Sequence, residues 1–209
     1  MASDTTRRVQ DALRTMAPPW VRTGARTIEV CDIDDLRPGE WEAVARAVPA
    51  RQAEFASGRA LLRELIGTDV EILAGPDRRP RFPDGVTGTL AHDHEVVVAA
   101  TADGSRCRAL GIDIEPLSVL TPDEARLVRR ADERHLDPHL LFVLKEAAYK
   151  AWSSVGGRML EHHQVVVDVD QPARTFTAIV DSTGVEFRGR YIVVENRHLA
   201  LVVDDTTPV

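Results

Sequence analysis

Two acids spaced two apart in GIDIE (residues 111–115) and a charged trio in LFVLKEAAYKAW (residues 141–152) are the positions whose types and spacing could do chemistry. Read as a strand, GIDIE sends Ile112 and Ile114 to one face and Asp113 and Glu115 to the other, roughly 7 Å apart at about 3.3 Å per residue. Like charges so close on a half-buried strand repel, and burial adds to the cost. Either the pair is a solvated strand end, or a cation sits between the two acids. Hard carboxylate oxygens suit Mg²⁺ or Mn²⁺ rather than zinc. Wound at about 100° per residue, residues 141–155 place Leu141, Leu144, Ala148, Trp152 and Val155 in one stripe, widened by Phe142 and Tyr149. Glu146, Lys150 and Ser153 fall on the opposite side. The i,i+4 pair Glu146 and Lys150 fits an ordinary surface salt bridge. A narrow polar stripe on so apolar a helix also fits one wall of a cleft, where Glu146 would bring a third carboxylate to the same cation.

The elements that must position these residues follow from periodicity. Residues 5–16 have weak helical periodicity and meet the prolines of APPW. TIEVCDI reads as a short strand. Residues 38–66 read as helical, with Pro49 dividing them into two helices. Strand-like runs follow at VEILA, GTLAHD, EVVVAAT and ALGIDIE. The second half repeats this order loosely, with helices at 122–131 and 137–155, then strands in HQVVVDVD, TFTAIVD, GVEFRGRYIVVE and HLALVVD. Helices followed by adjacent strands, twice over, predict an α+β chain of two similar lobes, each a small antiparallel sheet packed with helices. The lobes would cover 1–105 and 106–209.

The chain has 209 residues, 44% of them hydrophobic and 28% charged, the balance of a globular protein. No run approaches about 18 apolar residues and the N-terminus lacks an apolar signal core, so a cytoplasmic protein with no membrane span is expected. Cys31 and Cys107 stand in unrelated contexts, which argues against structural zinc and a disulfide framework. A formal net charge of -7 argues against nucleic-acid binding. Basic residues nevertheless cluster locally, at Arg78, Arg79 and Arg81 with Arg51 and Arg59 upstream, which fits a small anionic ligand.

GIDIEP followed by KEAAYKAW resembles the signature of the Sfp-type 4'-phosphopantetheinyl transferases, (V/I)G(I/V)D…E before (F/W)xxKEAxxKA. RQAEFASGRALLRELIG and GPDRRPRFPDGVTGTLAHD precede it in the order of the EntD-like bacterial branch. The resemblance spans about residues 50–180 and implies two pseudo-symmetric α/β lobes with coenzyme A between them. It implies transfer of phosphopantetheine from coenzyme A to a serine of an apo acyl or peptidyl carrier protein, with release of adenosine 3',5'-bisphosphate. On matching positions Asp113, Glu115 and Glu146 would hold Mg²⁺ (or Mn²⁺) against the pyrophosphate. Glu146, or Lys150 beside it, would help remove the serine proton, and Lys145 and Lys150 would balance phosphate charge. Arg51, Arg59 and His92 would contact the phosphates of coenzyme A, as would Arg78 or Arg79. His94, His162 and His163 read as surface or turn residues.

The chain departs from the family pattern in three places, one of them a stretch between Glu115 and Lys145 shorter than in close relatives. Ala91 stands where a Ser or Thr is usual, and the G-x-(K/R)-G-x-P loop appears as GPDRRPRFP. Attack of a hydroxyl on a pyrophosphate needs positioned cations and a base, and no GxSxG elbow or Cys/His pair offers a covalent route instead. Two other readings use the same residues: a Mg²⁺-dependent pyrophosphohydrolase of coenzyme A, or a non-catalytic relative that binds coenzyme A or the carrier. An internally duplicated chain needs no second copy to complete its cleft, so a monomer is expected.

Overall fold

Residues 3–75 and 79–205 are described by the structure, a computed structural model. Ser3 accepts the Thr6 N–H and opens α1 (Asp4–Met16). Strand β1 (Arg22–Thr27) leads into a 3₁₀ helix (Val30–Asp35), then α2 (Pro38–Val44) and α3 (Pro49–Ile66). Pro49 begins α3 at a first-turn position, where its missing N–H leaves no bond unmade. Strands β2 (Val86–His92), β3 (Val96–Asp103) and β4 (Cys107–Pro116) follow, then α4 (Pro122–Val128) and α5 (Pro138–Ser154). The chain closes through β5 (Val165–Asp170), β6 (Thr175–Val180), β7 (Val185–Val194) and β8 (Arg197–Asp205).

The strands form two sheets, β1-β3-β2 and β4-β8-β7-β6-β5, antiparallel throughout. The mixed α/β architecture with helix-covered antiparallel sheets agrees with expectation, although three strands stand against five. EVVVAAT is apolar without alternation because β3 is buried on both faces. Val96, Val98 and Ala100 join a core with α1, β4 and β8, while Val97 and Ala99 pack under Leu61 and Leu62 of α3. A further core lies between α5 and the five-stranded sheet, where Leu141, Leu144 and Ala148 meet Ala178, Phe187 and Val202.

Strand β4 is the hinge of the arrangement. Its Leu110, Ile112 and Ile114 enter the core shared by the two sheets, and Ala109 faces α5. Gly111 lets the helix come close: a Cβ there would stand 1.9 Å from the Ala147 carbonyl oxygen. With α5 seated that tightly, Asp113 and Glu115, next on the same face, meet the polar stripe of α5.

Three expected elements differ. The strand placed at TIEVCDI lies earlier, at Arg22–Thr27, and Val30–Asp35 is a 3₁₀ helix. There the nearly buried Asp32 takes hydrogen bonds from Arg26 (2.6 and 2.9 Å) and from Ser57 Oγ (2.6 Å), which favours a turn over continued pairing. VEILA is not a strand; an isolated bridge joins Ala74 to Pro80. Side chains satisfy its backbone instead, since Ile72 N–H donates to Glu40 (2.8 Å) and the Ile72 carbonyl accepts from Arg59 Nε (2.6 Å). The helix expected at 122–131 ends at Val128, with the Arg129 N–H closing on the Ala125 carbonyl.

Candidate active site

A cavity of about 770 Å³ opens between the two sheets. Arg51 and Arg59 of α3, His92 of β2, and Arg79 line it from one side. Asp113 and Glu115 of β4 and Glu146 and Lys150 of α5 line it from the other. Ile112 N–H donates to Thr89 Oγ1 (3.2 Å), tying β4 to β2 across the floor.

Lys150 reaches from α5 to β4, donating to Asp113 Oδ1 (2.7 Å) and to the Ile112 carbonyl (3.0 Å). The other oxygen, Asp113 Oδ2, is buried with no hydrogen-bond partner. Burial above all, with the charge of Glu146, holds the Asp113 carboxyl above its ordinary value although Lys150 and His92 pull the other way. Glu115 is pushed up to about 7, chiefly by burial and then by Asp113, with Asp93 and Glu146 adding to it against Lys150. Asp113 and Glu115 are thus costly to ionise where they stand, the condition a divalent cation relieves. Among the described residues, no trio of His, Cys, Asp or Glu side chains is already gathered closely enough to hold an ion. The acids share a wall, and Lys150 engages the nearest of their oxygens.

The basic side is equally ordered. His92 Nδ1 lies 3.1 Å from the Asp93 carbonyl, an acceptor only, so Nδ1 bears the hydrogen and Nε2 accepts from Arg51 Nη1 (2.9 Å). Glu54 stands 3.1 Å from Arg51 and 3.7 Å from His92, an acid the sequence reading passed over although it lies three residues from Arg51. Behind them Arg197 bonds Asp93, whose Oδ1 also takes the Glu95 and Val96 N–H groups (both 2.7 Å). This fixes the end of β2 against β8. Arg79 donates to the Ser153 carbonyl at the C-terminal end of α5. Arg78 lies outside the described residues.

Two expectations change. Lys145 does not line the cavity. It is 1% exposed and donates to Glu133 (2.6 Å) and to the Val128 carbonyl (2.9 Å), while Glu133 also takes the Val167 and Arg130 N–H groups (2.9 and 3.0 Å). The lysine fastens the segment after α4 to α5 and β5, and is thereby held out of the cavity lining where it was expected. Arg59 lines the cavity from a buried position, its guanidinium 4.1 Å from the Phe55 ring centroid and its Nε given to Ile72. Burial pulls it down to about 10. His162, read as a turn residue, stands with Nε2 2.9 Å from Glu146 Oε1. The two lie 16 positions apart, a separation with no local spacing that announces the contact.

These features define an α+β protein with a cleft lined by arginines and a histidine on one side and by carboxylates on the other. Residues 40–102 match the 4'-phosphopantetheinyl transferase N-terminal domain, and residues 109–202 match the 4'-phosphopantetheinyl transferase superfamily. The chain is 34% identical over 185 residues to the 4'-phosphopantetheinyl transferase Svp of Streptomyces mobaraensis, covering 79% of this chain and 75% of that one. It is 34% identical over 162 residues to Npt of Nocardia iowensis (71% and 72%) and 30% identical over 170 residues to PptT of Mycobacterium tuberculosis (74% and 70%), both also 4'-phosphopantetheinyl transferases. The chain belongs to the 4'-phosphopantetheinyl transferase superfamily.

Proposed function

We propose that this protein binds coenzyme A in the cleft and transfers its phosphopantetheine to a serine of an apo acyl or peptidyl carrier protein of polyketide, nonribosomal peptide or fatty-acid synthesis. One observation carries the reading: the acids of β4 and α5 and the arginines and histidine of α3 and β2 line a single cavity. Guanidinium groups at Arg51 and Arg79 and the imidazole of His92 would take the phosphate oxygens. Arg59 would contribute charge from beneath rather than a free fork.

The unpartnered Asp113 Oδ2 and the carboxylates of Glu115 and Glu146 on the same cavity wall support a divalent cation there. Asp113, Glu115 and Glu146 would hold Mg²⁺ (or Mn²⁺), which when bound supplies positive charge at the diphosphate. Lys150, already bonded to the Asp113 carboxylate and the Ile112 carbonyl, would turn its remaining donor toward phosphate. Glu146 would accept the proton of the serine hydroxyl as the Oγ–P bond forms and the P–O bond to the leaving adenosine 3',5'-bisphosphate breaks. The cleft needs no second chain to close it, which supports a monomer of two lobes, 1–105 and 106–209. Among the described residues no helix is long and apolar enough to cross a membrane. The expected location is the cytoplasm, where the substrates are made.

The reading is tested by incubating the protein with coenzyme A, Mg²⁺ and a panel of apo carriers. Each accepted carrier should gain the mass of one phosphopantetheinyl group. Unchanged carriers across the panel would reject the transferase, and free phosphopantetheine released without any carrier would assign the cleft to hydrolysis.

A further inference from the structure

We propose that His162 is a positioning residue for the base: it holds Glu146 in the orientation that receives the serine proton. The inference rests on the transferase reading above and adds to it a residue outside the acids, arginines and lysines already placed there.

Glu146 projects from the middle of α5 on a side chain with three rotatable bonds, and its carboxylate must meet an incoming hydroxyl at hydrogen-bond distance. Left to itself such a side chain samples several rotamers. His162 removes that freedom through two contacts with successive turns of α5. Its Nε2 lies 2.9 Å from Glu146 Oε1, and its ring packs on Phe142, one helical turn earlier, with centroids 5.3 Å apart at 44°. An ionised carboxylate only accepts, so the ring nitrogen facing it carries the hydrogen. With Oε1 engaged, Oε2 takes the serine proton while the Oγ–P bond forms and the P–O bond to the departing adenosine 3',5'-bisphosphate breaks.

The histidine is itself well anchored, as a positioning residue must be. It opens a 3₁₀ turn (His162–Gln164) held by three separate bonds. Gln164 Oε1 accepts the Glu161 N–H (2.8 Å), the Gln164 carbonyl accepts the Asp181 N–H (2.9 Å), and the His163 carbonyl accepts from Arg130 Nη1 (2.6 Å). The side chains of His162 and Glu146 are 29% and 28% exposed, enough for a proton to pass to solvent once the carrier leaves. His162 is not among the residues lining the cavity, while Phe142 and Glu146 are. Its influence on the reaction therefore runs through them.

The test measures kcat for carrier labelling, KM for coenzyme A and coenzyme A affinity by calorimetry for wild type, H162A, H162F and H162Q. H162F keeps an apolar ring against Phe142 without a donor, and H162Q restores an N–H toward the carboxylate. H162A and H162F should lose about tenfold to a hundredfold in kcat, with coenzyme A affinity and KM within about twofold of wild type. H162Q should recover much of the loss. Wild-type kcat in H162A and H162F would overturn the inference. So would an H162Q no better than H162F, or a loss of coenzyme A binding in step with kcat, which would mark a merely structural residue. A wild-type protein inactive on every carrier would remove the transferase reading itself, and the inference with it.

Discussion

Lys150 Nζ stands 2.7 Å from Asp113 Oδ1, so an ammonium of α5 holds one oxygen of a β4 carboxylate whose other oxygen is buried without a partner. Burial and the charge of Glu146 still keep Asp113 above its ordinary range. The ionised side chain is therefore a burden on the ligand-free fold, one the proposed cation would relieve. D113N is expected to melt no lower than wild type, while carrier labelling falls by about a hundredfold or more. Added Mg²⁺ should raise the wild-type Tm and leave that of D113N unmoved. A D113N protein that melts well below wild type would show instead that the carboxylate is structural.

Lys145 and Glu133 form a pair with side chains 1% and 3% exposed. Removing one member of so buried a pair leaves a charge uncompensated. K145M is thus expected to lose about 3–5 kcal/mol in urea denaturation, and K145M/E133Q to regain part of it. Coenzyme A affinity should remain near wild type in whatever K145M protein folds, since the lysine does not face the cavity. A tenfold weaker affinity at unchanged stability would return Lys145 to the phosphates.

Asp93 titrates in the opposite sense from Asp113. Burial would raise it, but the Glu95 and Val96 N–H groups and Arg197 outweigh that and hold it below the ordinary 3.8. The folded state therefore binds fewer protons at this site than the unfolded state, and stability rises with pH there. Its contribution is fully present above about pH 4 and is lost as pH falls through the depressed value. Equilibrium denaturation at a series of acidic pH values should show a shallower acid loss in D93N than in wild type, from a lower starting stability. Identical slopes would remove Asp93 from the account of acid sensitivity.

Gly111 sets the distance between β4 and α5. An alanine Cβ would stand 1.9 Å from the Ala147 carbonyl oxygen and 2.8 Å from the Ala151 nitrogen, both backbone atoms of the helix. G111A should cost about 1–3 kcal/mol and lower turnover beyond what the stability loss explains, because Glu146 and Lys150 move with the helix. Melting curves paired with kcat measurements check both parts.

Much of this site was legible because its signals are local. The alternation in GIDIE placed Asp113 and Glu115 on the α5 face of β4, and the narrow polar stripe of α5 placed Glu146 and Lys150 opposite them. Several of the failures share one cause, a partner that the local pattern does not reveal. Lys145 sits beside Glu146 in the chain, yet Glu133, 12 residues away, draws it out of the cleft. VEILA has the composition of a strand, but Glu40 and Arg59 satisfy Ile72 in place of a neighbouring strand. The stretch TIEVCDI turns because Arg26 and Ser57 converge on Asp32. Periodicity reports which face is apolar; it carries no record of which buried charge answers which.

The central claim is that the acids of β4 and α5 act together on coenzyme A bound among the arginines. Carrier mass after incubation with coenzyme A and Mg²⁺, measured for wild type, D113N and E146Q beside their coenzyme A affinities, tests it most directly. The account predicts modified carrier with wild type alone, while E146Q still binds coenzyme A within about tenfold of wild type. Carrier modified at the wild-type rate by either variant would contradict it.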